Sequence, residues 1–244
     1  MRQTLYAGFI GLITGIIGTL SGCIIVFLVR EIKASFLSFI LGVSAGIMTV
    51  VVFLDLIPEA LELGSLNTTL LGLFLGVAIM YLLDLIFPHV HFMEENGGEY
   101  YKAGLLLAIG IALHNIPEGL AIGAGYSVAS SLGFGLAVII GIQNFPEGMA
   151  VATSLSLAGL KNFKVALIAL LAGLPMGLGA FLGSYFGSIS NYFLSLSLGF
   201  AAGAMLFITF DDLLPAAHNE TGNNTGIMGI IAGVFLGVYL NGIL

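Results

Sequence analysis

Two short polar motifs stand in an otherwise apolar sequence and carry side chains suited to binding a cation. The first, HNIPEG, covers residues 114–119, and the second, QNFPEG, covers residues 143–148. Helical positions three or four apart share a face, so each motif presents its polar residues on one side of a helix. One imidazole, two carboxylates and several amide oxygens form a mixed nitrogen and oxygen set that suits Zn, Cd, Fe or Mn. These candidate ligands are His114, Asn115, Glu118, Gln143, Asn144 and Glu147.

The composition requires that the motifs lie within a membrane. Hydrophobic residues make up 59% of the 244 residues and charged residues only 8%, whereas soluble domains carry about a quarter charged residues. Apolar runs of suitable length predict an all-α integral membrane protein with eight spans in the lipid bilayer, forming a single transmembrane domain over residues 1–244. The predicted spans are 4–29, 36–61, 69–87, 100–126, 130–157, 164–186, 191–217 and 226–244.

The distribution of Lys and Arg predicts the orientation of these spans. Only Arg2 lies on one face, and the other face carries Arg30, Lys33, Lys102, Lys161 and Lys164. The positive-inside rule makes the basic face cytoplasmic and places both termini outside. So few basic residues form no patch for nucleic acid. The single cysteine, Cys23, excludes an intrachain disulfide or a CxxC metal site.

The second and seventh spans contain related sequences. Residues 42–61 match residues 199–218 at nine of twenty positions with a constant offset of 157, and the match pairs Asp55 with Asp212. Spans five apart in the chain cross the membrane in opposite directions. The sequence therefore predicts an inverted repeat of helices 1–3 and 6–8 around a central helix 4/5 pair. In transporters built this way the substrate site lies near the midplane at the repeat interface.

Glu118 and Glu147 are energetically unfavourable residues for the interior of a membrane. A charged side chain at the bilayer centre costs about 2.5–3.5 kcal/mol on insertion scales unless it is protonated, hydrated or paired. No Lys or Arg lies in the interior of a span, so the remaining partners are protons, water or a cation. Two further expectations concern the backbone of the same helices: kinks at Pro117 and Pro146, and close approach of helices 4 and 5 through Gly119 and Gly148.

Two further groups of polar residues are predicted near the membrane faces. At the outer face, Asp55, Glu59 and Glu62 lie on one side of helix 2 and are candidates for a cation entrance. At the cytoplasmic face, an exit or sensing cluster is predicted from Asp84, His89, His91, Asp211, Asp212 and His218. The alternatives are helix capping or pairing with backbone groups freed at a proline kink for the aspartates, and a solvated loop for His89 and His91.

The paired motifs, together with FLDLIPEA at residues 53–60, resemble the ZIP family of metal transporters in its prokaryotic GufA-like branch, over essentially the whole chain. The resemblance implies a homodimeric eight-helix transporter in a prokaryotic plasma membrane. It would carry zinc and related divalent ions into the cytoplasm as substrate, with no cofactor. The resemblance also implies a primary site of His114, Glu118, Gln143 and Glu147, and an adjoining second site with Asn115 and Asn144 that shares the two glutamates.

The sequence departs from the family pattern at two positions. Asn144 stands where an acid often follows the glutamine of helix 5, and Met176 aligns with a position where helix 6 often carries a glutamate. Two divalent ions sharing two carboxylates would be left with excess positive charge. The prediction for this chain is therefore a single bound metal, with Asn115 and Asn144 holding water or a weakly bound ion.

Three other functions compete with metal transport. A structural pair of helices could bond its polar residues across their interface. An intramembrane zinc metalloenzyme could use His and Glu, although no HExxH motif and no Ser or Cys nucleophile paired with a base is present. A proton-coupled carrier of an organic solute could use paired acids as a proton relay, but helices 4 and 5 lack the aromatic or Arg groups expected for the solute.

Overall fold

The computed structural model describes residues 1–29, 32–86, 97–219 and 224–244. Eight helices in these ranges are long and apolar enough to cross a membrane, which confirms the predicted all-α membrane fold. Each helix lies within a few residues of its predicted span. They are α1 Arg2–Val29, α2 Ala34–Leu63, α3 Leu66–Ile86, α4 Gly97–Val128, α5 Ser130–Leu157, α6 Asn162–Gly187, α7 Asn191–His218 and α8 Thr225–Ile243.

Helices α2 and α7 each contain a π-helical turn just before a proline. In α2 the turn covers Val51–Leu56 and precedes Pro58. In α7 it covers Thr209–Leu213 and precedes Pro215. Proline has no amide hydrogen and crowds the preceding turn, so a wider turn relieves the helix there. Each π turn contains the aspartate of its repeat and changes the direction in which that side chain leaves the helix.

The contacts between helices are symmetric with respect to the two repeats. Helix α2 packs extensively against α8 and α3 against α7, while α1 packs against α5 and α6 against α4. Exchanging α1 with α6, α2 with α7, α3 with α8 and α4 with α5 converts each of these contacts into another of the set. The packing therefore confirms the predicted repeat of helices 1–3 and 6–8 around the central pair.

Glycines spaced four apart build the α2–α8 and α3–α7 interfaces. A Cβ atom added at any of them would collide with backbone atoms of the partner helix. Small residues allow this approach in lipid, where van der Waals packing drives helix association. The glycines occupy equivalent positions in the two repeats: Gly42 and Gly46 on α2, Gly229 and Gly233 on α8, Gly199 and Gly203 on α7, Gly72 and Gly76 on α3.

Candidate metal centre

Helices α4 and α5 place both polar motifs inside the helical bundle. In the most apolar 18-residue stretch of each helix, 61% of the residues of α4 and 72% of those of α5 are buried, compared with 22% of those of α3. Both helices continue through their prolines as α-helix. The six candidate ligands are all 5% exposed or less: His114, Asn115, Glu118, Gln143, Asn144 and Glu147.

Two side-chain amides of α5 hold the carboxylate of Glu118. The Nε2 atom of Gln143 donates to Glu118 Oε1 at 2.5 Å. The Asn144 amide faces Glu118 Oε2 at 3.1 Å and the Ile140 carbonyl oxygen at 3.2 Å, and it donates to both when its nitrogen is turned to that end. Two acceptors at that end, against one at the other, favour the orientation with the nitrogen toward Glu118. Because hydrogen bonds to an ionised group are stronger than neutral ones, α5 fixes this side chain of α4.

Further hydrogen bonds connect the two motifs to neighbouring helices. Asn115 Nδ2 donates to the Ala172 carbonyl oxygen of α6 at 2.9 Å. With its nitrogen turned to the other end, Asn144 instead donates to Asn115 Oδ1 at 3.0 Å. Ser44 of α2 donates its hydroxyl to the Gln143 carbonyl oxygen at 3.0 Å. Hydrogen bonds therefore tie the centre to α2 and α6 as well as joining α4 to α5.

Three buried oxygen atoms at the centre accept no hydrogen bond from the described residues. They are Oε1 of Gln143 and both carboxylate oxygens of Glu147. A buried acceptor left without a donor costs about 1–3 kcal/mol, and more when it is charged. A proton, a water molecule or a cation would remove this cost. Carboxylate and amide oxygens in this number fit the oxygen side of a divalent metal site.

Helix α7 contributes a contact that the sequence did not predict. Asp212 Oδ2 lies 2.9 Å from His114 Nε2, with both side chains largely shielded from solvent. A carboxylate beside an imidazole fixes the orientation of the ring. The repeat had paired Asp212 with Asp55, but the tertiary structure alone shows that the π turn of α7 brings it to His114.

The acidic and imidazole side chains keep separate partners in this conformation. Within the described parts of the chain, no group of three or more His, Cys, Asp or Glu side chains is arranged to hold a metal ion. Glu118 is turned toward the α5 amides and His114 toward Asp212. Binding one ion by His114 and both glutamates therefore requires an exchange of these hydrogen bonds for metal bonds.

The sequence profile of a family described as ZIP Zinc transporter matches residues 89–244, which is more than half of the chain. This chain belongs to the ZIP zinc transporter family. It is similar to the zinc transporter ZupT of Enterobacter sp. (strain 638), with 33% identity over 248 residues that cover 95% of this chain and 91% of the relative.

Similarity extends to relatives from other bacteria. Zinc transporter ZupT of Streptococcus mutans is 31% identical over 261 residues, covering 97% of each chain. Zinc transporter ZupT of Clostridium perfringens is 30% identical over 271 residues, covering 96% of this chain and 94% of the relative. These relatives are named as transporters, in agreement with the prediction that the chain is not an enzyme.

The glycines of the two ZIP motifs pack differently from the sequence prediction. A Cβ atom on Gly119 would meet the backbone of Met176 in α6, and one on Gly148 would meet the backbone of Thr19 in α1. The expectation that these glycines bring α4 and α5 together is therefore wrong. Thr19 and Met176 occupy equivalent positions of the two repeats. The motif glycines therefore dock α5 on α1 and α4 on α6, which are the equivalent helices of the two repeats.

The outer acids of this ZIP chain have different surroundings. Asp55 lines a cavity of about 220 Å³ between α2, α5 and α8, where Ser131 and Asn241 are further polar residues of the wall. Asn241 donates its side-chain amide to Asp55 Oδ1. Glu59 is partly buried and Glu62 is exposed, and neither lines this cavity.

The predicted cytoplasmic group falls only partly within the structure. His89 and His91 lie outside the described residues. Asp84 is partly buried near the end of α3, and Asp211 and His218 are exposed on α7. Asp212 contacts His114 of the first central motif.

Proposed function

We propose that this chain transports divalent transition-metal ions, zinc foremost, through a site between α4 and α5. The observation that carries the proposal is the set of buried acceptors on Gln143 and Glu147 beside the carboxylate of Glu118. A buried anionic site without an interior Lys or Arg is suited to a cation. His114 completes the primary site as its nitrogen ligand. Membership of the ZIP zinc transporter family supports zinc as the principal ion, and the ligand set also suits Cd, Fe and Mn.

The proposal also covers the direction of ion transport, the orientation of the chain in the membrane and its oligomeric state. Ions enter the cytoplasm, both termini face outside, and the transporter is a homodimer with residues 1–244 as its single domain. Five of six basic residues on one face support the orientation. Strongly exposed aromatic residues on α3 and α8, such as Phe74 at 69% and Phe235 at 74%, supply apolar surface for lipid or a second copy.

The route through the protein is proposed from the outer cavity to the cytoplasmic acids. Asp55 in its cavity, with Glu59 and Glu62 above it, forms the entrance. The exit uses the remaining polar residues of the cytoplasmic side, with Asp212 taking the ion from His114: Asp84, His89, His91, Asp212 and His218. An ion leaving His114 for a carboxylate 2.9 Å away keeps an anionic ligand during the step.

Uptake by proteoliposomes tests the proposed function. Purified protein is reconstituted with an internal zinc-sensitive dye, and the initial rate is measured for the wild type, Glu118→Gln and Glu147→Gln. Each substitution keeps the side-chain shape and removes one anionic ligand, so uptake should fall by at least about tenfold, the effect of one lost charge-assisted interaction.

Lys161→Gln is the control for the loss of one charge, because Lys161 is exposed and belongs neither to the central motifs nor to the proposed entrance or exit. Its rate should stay within about twofold of the wild type, as is usual for surface substitutions. Wild-type vesicles that take up no divalent metal, or glutamine variants of both central glutamates with normal rates, would contradict the proposal.

A further inference from the structure

The two glutamates of the centre have unequal surroundings. Both oxygens of Glu118 face side-chain amides of α5: Gln143 Nε2 donates at 2.5 Å, and the Asn144 amide lies 3.1 Å away and donates when its nitrogen is turned to that end. Neither oxygen of Glu147 has a hydrogen-bond donor among the described residues. One carboxylate is thus bound to protein at both oxygens, while the other is free to accept a ligand.

The two asparagines also differ, although they occupy the same position in their motifs. Asn144 contacts the carboxylate of Glu118 across the helix interface. Asn115 instead donates to a backbone carbonyl oxygen, that of Ala172 in α6. The repeat of the motif therefore does not extend to the contacts, and only one asparagine acts directly on a glutamate.

We infer that Asn144 is a positioning residue that, with Gln143, fixes Glu118, so that Glu147 and the free oxygen of Gln143 receive the incoming cation first. The inference rests on the proposed function of this centre. Glu118 then exchanges its contact with Gln143 for the metal and keeps its contact with Asn144, so the amide at position 144 orients the carboxylate both before and after the ion is bound. Asn144 acts through Glu118 and is not itself a ligand of a second ion.

An amide at position 144 is required for this task. An aspartate there would place a second carboxylate against Glu118 Oε2, where the nitrogen of Asn144 now lies 3.1 Å away. Like charges at that distance repel unless a cation lies between them. The neutral donor therefore favours a single ion, shared by Glu118 and Glu147, over a pair of ions.

Zinc titration calorimetry on the full-length protein in detergent tests the inference, since it gives affinity and stoichiometry without transport. Asn144→Ala should lower zinc affinity by about tenfold, because Glu118 loses the contact that orients its carboxylate and must be ordered by the metal alone. Asn115→Ala is the comparison variant and should lower affinity clearly less than Asn144→Ala, because its amide donates to a backbone carbonyl oxygen and not to a glutamate. Stoichiometry should remain one ion in both variants.

A double-mutant cycle identifies the partner of Asn144. The shortened side chains Glu118→Asp and Glu147→Asp keep the charge, so zinc binding stays measurable. Asn144→Ala should have little further effect in Glu118→Asp, where the carboxylate no longer reaches the amide, and its full effect in Glu147→Asp. If Asn144→Ala does not fold, the near-isosteric Asn144→Leu takes its place in the same cycle.

Three results would overturn the inference. They are equal losses of affinity for Asn115→Ala and Asn144→Ala, additivity of Asn144→Ala with Glu118→Asp, and a fall from two bound ions to one on either substitution. The proposed function fails separately, when the wild-type protein neither binds nor transports zinc. A wild type that does both, with indistinguishable asparagine variants, would refute only the role given to Asn144.

Discussion

Asn144→Asp should convert a one-ion centre into a two-ion centre. One divalent ion between Glu118 and Glu147 is charge-balanced, whereas two ions leave an excess of two positive charges. At 4 Å separation each pair of unit charges interacts by about 4 kcal/mol at an effective dielectric of 20, so a second ion in the wild-type protein is strongly disfavoured. The new carboxylate would lie about 3 Å from Glu118 Oε2, where the amide now lies at 3.1 Å. Without metal, the repulsion between the two carboxylates costs about 5 kcal/mol at the same effective dielectric. When two ions are bound, the added negative charge offsets the repulsion between them.

Metal analysis and thermal unfolding measure both parts of this prediction. The variant should melt below the wild type in the presence of a chelator and gain more stability from zinc, because a second ion binds only the folded state. Adding Met176→Glu, at the residue whose backbone touches Gly119, should tighten the second ion further. Two zinc ions per chain in the wild type, or one in both variants, would refute the charge argument.

Three more predictions concern packing, topology and the contact with α7. Gly46→Ala should destabilise the protein by about 1–3 kcal/mol, because its Cβ would meet the backbone of α8, whereas Gly242→Ala, whose Cβ meets open space, should leave the melting temperature unchanged. A cysteine at Asn96 in a Cys23→Ala background should resist an impermeant thiol reagent in intact cells, and ready labelling would reverse the predicted orientation. Asp212→Asn removes the charge beside His114 and should lower maximal zinc uptake several-fold in vesicles, and an unchanged rate would separate Asp212 from the transport route.

The eight helices could be predicted from the sequence because membrane helices follow from local properties. A run of about 20 apolar residues is long enough to span the hydrocarbon core whatever surrounds it. The repeat was visible because residues 42–61 and 199–218 keep equivalent residues at one offset. Helical geometry also predicts neighbours within one helix, such as His114 and Glu118.

Contacts between helices were decided only by the tertiary structure. Gly119 and Gly148 were assigned to the wrong partner helices, because a glycine shows that a backbone approaches closely but not which one. The π turn of α7 changes the direction in which the Asp212 side chain leaves the helix and brings it to His114. The repeated sequence does not show this change.

The difference between the two glutamates also separates what the sequence determines from what the tertiary structure decides. The sequence determined that both lie in buried helices beside an amide, since each follows from spacing within its own motif. Whether an amide donates to Glu118 or to Glu147 depends on how α4 and α5 are rotated about their axes and pressed together by α1 and α6. That rotation is set by packing of the whole bundle, so only the tertiary structure decided that Glu118 is held at both oxygens and Glu147 at neither.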